Sequence, residues 1–137
     1  MCIYTYRMTD KVNLELCMSC HCLAARRKAR ELTRMYEAKL RPHGLKATQF
    51  SILVALAAVG PKPMSVLASV LGLERTTLTR GAALLARDGL VAEAQSEDGR
   101  ERQLTLTGRG RRKLEAAYPA WKAAQDKATK SLQASRR

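Results

Sequence analysis

Cys17-Met18-Ser19-Cys20-His21-Cys22 places three thiols and an imidazole within six residues. Cys17-x-x-Cys20-His21 has the spacing of a c-type haem attachment, but that chemistry belongs to an exported compartment. Zinc is also a poor fit, because a structural site draws ligand pairs from separated segments. We therefore expect no metal and no cofactor here. Redox chemistry has the better basis. If Ser19 caps a helix, Cys20 and Cys22 lie in its first turn, with Arg26 and Arg27 one turn on. The dipole and the guanidinium groups would both favour thiolate, the species that peroxides attack. The competing expectation is that these cysteines are small apolar fillers.

A second constellation is Arg75-Thr76-Thr77-Leu78-Thr79-Arg80. At about 100° per residue, Leu78, Ala82 and Leu85 fall on one side of a helix and Thr76, Arg80, Ala83 and Arg87 on the other. The outer strip holds hydroxyls and guanidinium groups and no carboxylate. In a DNA major groove, Arg takes guanine edges in a bidentate way, and Thr serves bases or phosphate. Residues near the helix start reach deepest. Arg75, Thr76, Thr77 and Arg80 are the expected base readers, and Thr79 and Arg87 the expected phosphate contacts. An ordinary amphipathic helix with a solvated basic face has the same pattern, so the neighbouring elements must decide.

Those elements are ordered. A helical stripe of Ala25, Ala29, Leu32, Tyr36 and Leu40 runs from about Ser19 to Arg41 and is closed by Pro42 and Gly44. Residues 47–59 predict a buried helix, and Gly60–Pro63 a turn. Ser65 is the expected cap of a short helix ending at Gly72, followed by the Arg75–Arg87 helix and the stop Asp88-Gly89. Strands are expected over Leu90–Gln95 and Arg102–Leu106. Between them Asp98-Gly99 marks a hairpin apex, with Arg100 and Arg102 placed to enter a minor groove and Asp98 to brace an arginine or cap the turn. Thr107 should cap a last helix, in which Pro119 predicts a kink. The order is helix-turn-helix followed by a β-hairpin wing. The fold class is mainly α (α+β), divided into an arm over 1–16, a first helix over 17–44, a winged helix-turn-helix over 45–106 and a C-terminal helix over 107–137.

Composition agrees. The chain has 137 residues, 46% of them hydrophobic, so a core is expected. Its 25 Lys and Arg against 12 acidic residues give a formal charge of +13, which suits a polyanionic partner. The excess is spread along the chain: residues 26–46 hold eight basic and two acidic side chains, and residues 75–113 nine and five. Charge alone therefore fits a basic architectural or RNA-associated protein without sequence specificity, which leaves the ordered turn-helix-wing pattern unexplained. No apolar run of roughly eighteen residues predicts a membrane span, and the first residues lack a signal peptide's apolar core, so a cytoplasmic protein with free thiols is expected. No nucleophile–base pair or phosphate-cradling glycine loop is visible, and an enzyme is not expected.

Several ordered motifs carry a resemblance. They are Arg34-x-Tyr36, Gly44-Leu45 with Gln49-Phe50, Leu67-Ala68, Leu73-Glu74-Arg75-Thr76-Thr77-Leu78-Thr79-Arg80, Asp88-Gly89-Leu90-Val91, Asp98-x-Arg100 and Leu106-Thr107-x-x-Gly110. Over about residues 17–128 the chain resembles the multiple antibiotic resistance regulator (MarR) family of winged-helix transcription factors. The resemblance implies a homodimer joined by its first and last helices. It also implies a pseudo-palindromic double-stranded operator, and repression released by a small aromatic or anionic inducer or by an oxidant. Cys20-x-Cys22 resembles a subgroup of that family. Two departures stand out: Gly81 inside the reading helix, and Lys46 where many relatives have a Thr cap.

Overall fold

The computed structural model describes residues 11–136. Its elements are α1 (Leu14–Met18), α2 (His21–Leu40), a 3-10 turn (Arg41–His43), α3 (Ala47–Val59), β1 (Lys62–Pro63), α4 (Met64–Leu71), α5 (Arg75–Arg87), β2 (Val91–Gln95), β3 (Arg102–Leu106) and α6 (Gly108–Ala134). Packing divides the chain into a unit ending at Thr33 and a unit beginning at Arg34.

In the N-terminal unit, Asn13 Oδ1 accepts the Leu16 amide at 2.9 Å and starts α1. Residues 14–16, expected to belong to an arm, are thus the start of a helix; the rest of that arm up to Asp10 lies outside the described residues. Ser19 does not cap α2. It ends α1, where its Oγ donates to the Leu16 carbonyl at 2.7 Å. The Cys20 carbonyl instead accepts the Ala24 amide at 3.0 Å, which makes Cys20 the residue leading into α2. The upstream helix claims the Ser19 hydroxyl, so the cap expected there is not made.

The second unit is built on a core of Leu40, Leu45, Phe50, Ile52, Leu53, Leu56, Leu67, Leu78, Leu85, Leu90, Val91 and Leu104, all buried. Trp121 of α6 packs against it and stacks on Phe50 with ring centroids 5.7 Å apart. Tyr36 lies 6.4 Å from the same indole and donates its hydroxyl to Gln125 Oε1. Burial pushes the Tyr36 phenol above its ordinary pKa, so it remains a neutral donor.

Local chemistry explains the remaining boundaries. Gly72, at φ 63°, ends α4 in the left-handed region that glycine adopts without strain, and Leu73 N reaches back to the Ala68 carbonyl at 3.0 Å. Ser65 is not the cap of α4; Pro63 holds that position and no side chain caps it. Lys62 and Pro63, expected in a turn, form an edge strand pairing with Leu104 and Gln103, giving the antiparallel order β1-β3-β2. Proline is tolerated there because an edge strand leaves one side unpaired. Lys46 has no acceptor to cap α3, and Gln49 Oε1 takes the Lys46 amide at 2.9 Å instead. Thr107 caps α6 as expected: its Oγ1 accepts the Gly110 amide at 3.0 Å and donates to the Gly89 carbonyl at 2.7 Å. α6 continues through Pro119 without ending.

Candidate nucleic-acid interface

α5 is anchored by its apolar side. Leu78, Ala82 and Leu85 are buried, and full burial of one leucine is worth about 2 kcal/mol. Arg75, Thr76, Thr77, Thr79, Arg80, Ala83 and Arg87 are all exposed, and no acidic residue occupies the first turn. Among the described residues, neither Arg75 nor Arg80 has a carboxylate within ion-pair distance. Two members of the strip are already engaged. Thr79 Oγ1 donates to the Arg75 carbonyl at 2.8 Å, and Arg87 Nε lies 3.6 Å from Asp88 Oδ1.

Gly81 faces α3. A methyl group there would lie 3.0 Å from Ile52 Cδ1, so the missing side chain lets these two helices approach. Beside it, Lys46 and Thr48 of the α3 start meet Thr77 and Arg80 around a cleft of about 220 Å³. Sequence reasoning did not join Lys46 and Thr48 to the interface. Their only signal was a basic residue and a hydroxyl at a helix start, and the contact is made across the fold.

The wing tip is held by Asp98. Its Oδ1 accepts Ser96 Oγ at 2.5 Å and the Arg100 amide at 3.1 Å. Asp98 therefore caps the turn and braces no guanidinium. The Ser96 hydroxyl and the Arg100 amide hold the Asp98 carboxyl below its ordinary pKa. A depressed acid contributes order that is complete above its unfolded pKa and is lost as pH falls through the folded one, so this turn is intact at neutral pH. Arg100 has no carboxylate partner among the described residues. Arg102 differs: it is the first residue of β3, opposite Gln95, with Nη1 3.3 Å from Glu93 Oε2. The two wing arginines, alike in sequence, thus differ in electrostatic freedom.

These opposed contacts give a test. Removing an anion near DNA should strengthen binding, whereas removing the turn acceptor should weaken it. We expect Asp98→Ala to bind duplex DNA several-fold more weakly than wild type. Asp98→Asn, which keeps an acceptor and loses the charge, should bind as well or better. Fluorescence anisotropy at fixed salt checks this, and tighter binding by the alanine variant would show that charge outweighs turn order.

Cys17, Cys20 and Cys22 are exposed, free thiols, and Arg26 Nη2 donates to Cys22 Sγ at 3.3 Å. Among the described residues no three of His, Cys, Asp or Glu converge as a metal-holding group. No helix among them is long and apolar enough to cross a membrane.

Two helices meeting at the Gly72 turn, with the second presenting a cationic strip beside a hairpin, define a winged helix-turn-helix. The MarR family profile matches residues 43–101. The transcriptional regulator MosR of M. tuberculosis is 40% identical, with a TM-score of 0.74 and 82% of each chain covered. The same regulator solved in complex with DNA is 43% identical over the same share of each chain, also with a TM-score of 0.74. The HTH-type transcriptional regulator YwoH of Bacillus subtilis is 34% identical over 87 residues, a stretch spanning 64% of either chain. The chain belongs to the MarR family of winged-helix transcriptional regulators, which sets aside the architectural reading.

Proposed function

We propose that the chain is a homodimeric repressor of a pseudo-palindromic double-stranded operator, with α5 in the major groove and Arg100 at the wing tip in the flanking minor groove. The observation that carries this reading is the carboxylate-free strip of Arg75, Thr76, Thr77 and Arg80 on a helix whose opposite side is fixed in the core. Its support is the 43% identical regulator solved with DNA. Thr79, Arg87 and Arg102 are the accompanying backbone contacts, and the engaged hydroxyl and ion pairs make their contributions smaller. A dimer would give Ala25 and Ala29 of α2, and Tyr118 and Leu132 of α6, a partner in place of water. Half-sites about one helical turn apart follow from two-fold symmetry. Footprinting of the DNA beside the protein's own coding region tests the reading; no protected palindrome in the presence of competitor DNA overturns it.

The signal that releases DNA is a small aromatic or anionic inducer or an oxidant, and exposure of Cys20 and Cys22 with Arg26 on Cys22 favours the oxidant. A hydroperoxide would transfer one oxygen to a thiolate, leaving an alcohol and a sulfenic acid, which a second thiol converts to a disulfide with loss of water. Allosteric couplings are typically about 1–3 kcal/mol, roughly 5- to 150-fold in affinity. We expect peroxide to weaken operator binding of the wild type within that range, and Cys20→Ser and Cys22→Ser to blunt the response. An unchanged response in both variants removes the thiols from the mechanism.

A further inference from the structure

α3 begins without a cap of its own, and two other side chains share the task. Gln49 Oε1 accepts the Lys46 amide at 2.9 Å, and Glu37 Oε1 of α2 accepts the Ala47 amide at 3.4 Å. The next amide, that of Thr48, has no acceptor among the described residues. A helix start in this state favours an anion, because its unpaired N–H groups and the helix dipole act together. Gln49 is a second and independent pointer to one. Among the described residues it is the one buried polar side chain, at 7% exposure. Its carboxamide has an accepting end and a donating end. The oxygen is committed to the Lys46 amide, so the other end is the NH2 group, and that group has no acceptor among the described residues. Nor is it sealed in the core, because no fully buried side-chain nitrogen or oxygen there lacks a partner.

Gln49 lines the cleft that Lys46 and Thr48 share with Thr77 and Arg80, so this is where its free donor emerges. The cleft thus gathers an ammonium, a guanidinium, two hydroxyls and a carboxamide NH2. No carboxylate lines it, and Glu37 is not among its residues. Among the described residues neither Lys46 nor Arg80 has a carboxylate within ion-pair distance. Its volume of about 220 Å³ falls below the range of small-molecule sites. A single phosphate group fits, with the chain that carries it running past outside.

We propose that Lys46, Thr48 and the Gln49 NH2 group seat one phosphodiester of the DNA backbone, beside the base pairs that α5 reads. The cleft is continuous with the exposed strip of α5 through Thr77 and Arg80, which favours a DNA phosphate over a free one. Lys46 cannot cap α3, but its ammonium is a suitable point charge for a phosphate. The seat relieves Arg80 of that duty and leaves its fork free for a base edge. Phosphate contacts position a reader and base contacts specify, so the seat fixes where along the groove Arg80 falls. Gly81 makes the arrangement possible. With no side chain there, α3 approaches α5 until a methyl group would lie 3.0 Å from Ile52 Cδ1, and the seat and Arg80 stand on one packed pair of helices. The inference rests on α5 facing DNA.

The probe is a random-sequence DNA duplex, titrated by fluorescence anisotropy over a series of salt concentrations. Gln49→Glu keeps the acceptor for the Lys46 amide, and glutamate suits this position of a helix start, but it turns the free donor into an anion facing the phosphate. We expect binding roughly tenfold weaker than wild type at low salt, with the deficit shrinking as salt screens the repulsion. A merely disturbed α3 start would keep its deficit at every salt concentration. Gln133→Glu, the same change of charge on an exposed part of α6, should stay within about twofold of wild type. Lys46→Ala, which removes an exposed side chain, should flatten the salt dependence by about one phosphate contact, and it carries the test if Gln49→Glu does not fold. In the double variant the two losses should not add, because both act on one phosphate. Equal affinity of wild type, Gln49→Glu and Lys46→Ala, the result for a cleft that takes only free phosphate, overturns the seat alone. So does a deficit in Gln49→Glu that salt leaves unchanged. If wild type bound no duplex at all, the reading of α5 would fall together with the seat.

Discussion

Gly110→Ala should cost on the order of 3 kcal/mol and lower the thermal midpoint by roughly 10 °C. Two effects compete. Alanine is favoured over glycine inside a helix by about 1 kcal/mol, and Gly110 lies in the first turn of α6. Against this, a methyl group at Gly110 would fall 2.0 Å from the Leu90 carbonyl oxygen and 2.7 Å from Leu106 Cδ1. The carbonyl cannot retreat cheaply, since it accepts the Thr107 amide and belongs to a buried residue at the wing root. Sterics win, and the cost should appear in both urea and thermal unfolding. Gly108→Ala is the matched control. Its methyl group would meet only the Arg112 guanidinium, at 3.5 Å, the far end of a flexible side chain. That substitution should be neutral or stabilising by up to about 1 kcal/mol. Equal stability of the two variants would mean that α6 can shift away from β2, and the tight seam would lose its importance.

The reach of sequence reading follows from which forces are local. The reading helix was legible because Leu78, Ala82 and Leu85 repeat at helical spacing, and the same leucines form the core. Asp98-Gly99 announced the wing because its turn closes within a few residues. The Thr107 cap was visible for the same reason. What escaped depends on competition or on distance. Ser19 could end one helix or begin the next, and composition does not rank the two. Lys62-Pro63 becomes a strand only because β3 arrives from forty residues away. Arg100 and Arg102 were indistinguishable until β2 brought Glu93 to one of them. The cleft beside Arg80 likewise needs α3, whose Lys46 had been noticed only as a missing cap. Gly110 was recognisable by resemblance, but its physical reason, a backbone carbonyl in the space of a Cβ, exists only in three dimensions.

Arg80→Ala should weaken specific operator binding by about 1–3 kcal/mol, roughly 5- to 150-fold, with a much smaller loss on random duplex. The argument rests on what holds Arg80 and what does not. Its helix turn is fixed by the adjacent buried residues Leu78, Gly81 and Ala82, so the guanidinium projects from a rigid base. No carboxylate neutralises it among the described residues, and Thr77 flanks it on the same cleft. A free, positioned guanidinium can commit both forks to a guanine edge, and its loss then relaxes preference at that base pair. Arg102→Ala makes the contrast. Arg102 is paired with Glu93, and as the proposed backbone contact its removal should weaken operator and random duplex by similar, smaller factors and flatten the salt dependence by about one phosphate contact. Stability should change little in either case, because both side chains are exposed and exposed ion pairs are worth at most about 1 kcal/mol. Competition titrations on both duplexes at two salt concentrations separate the roles. If Arg80→Ala lost affinity equally on operator and random sequence, its contact would be with phosphate, and base reading would have to pass to Arg75, Thr76 and Thr77.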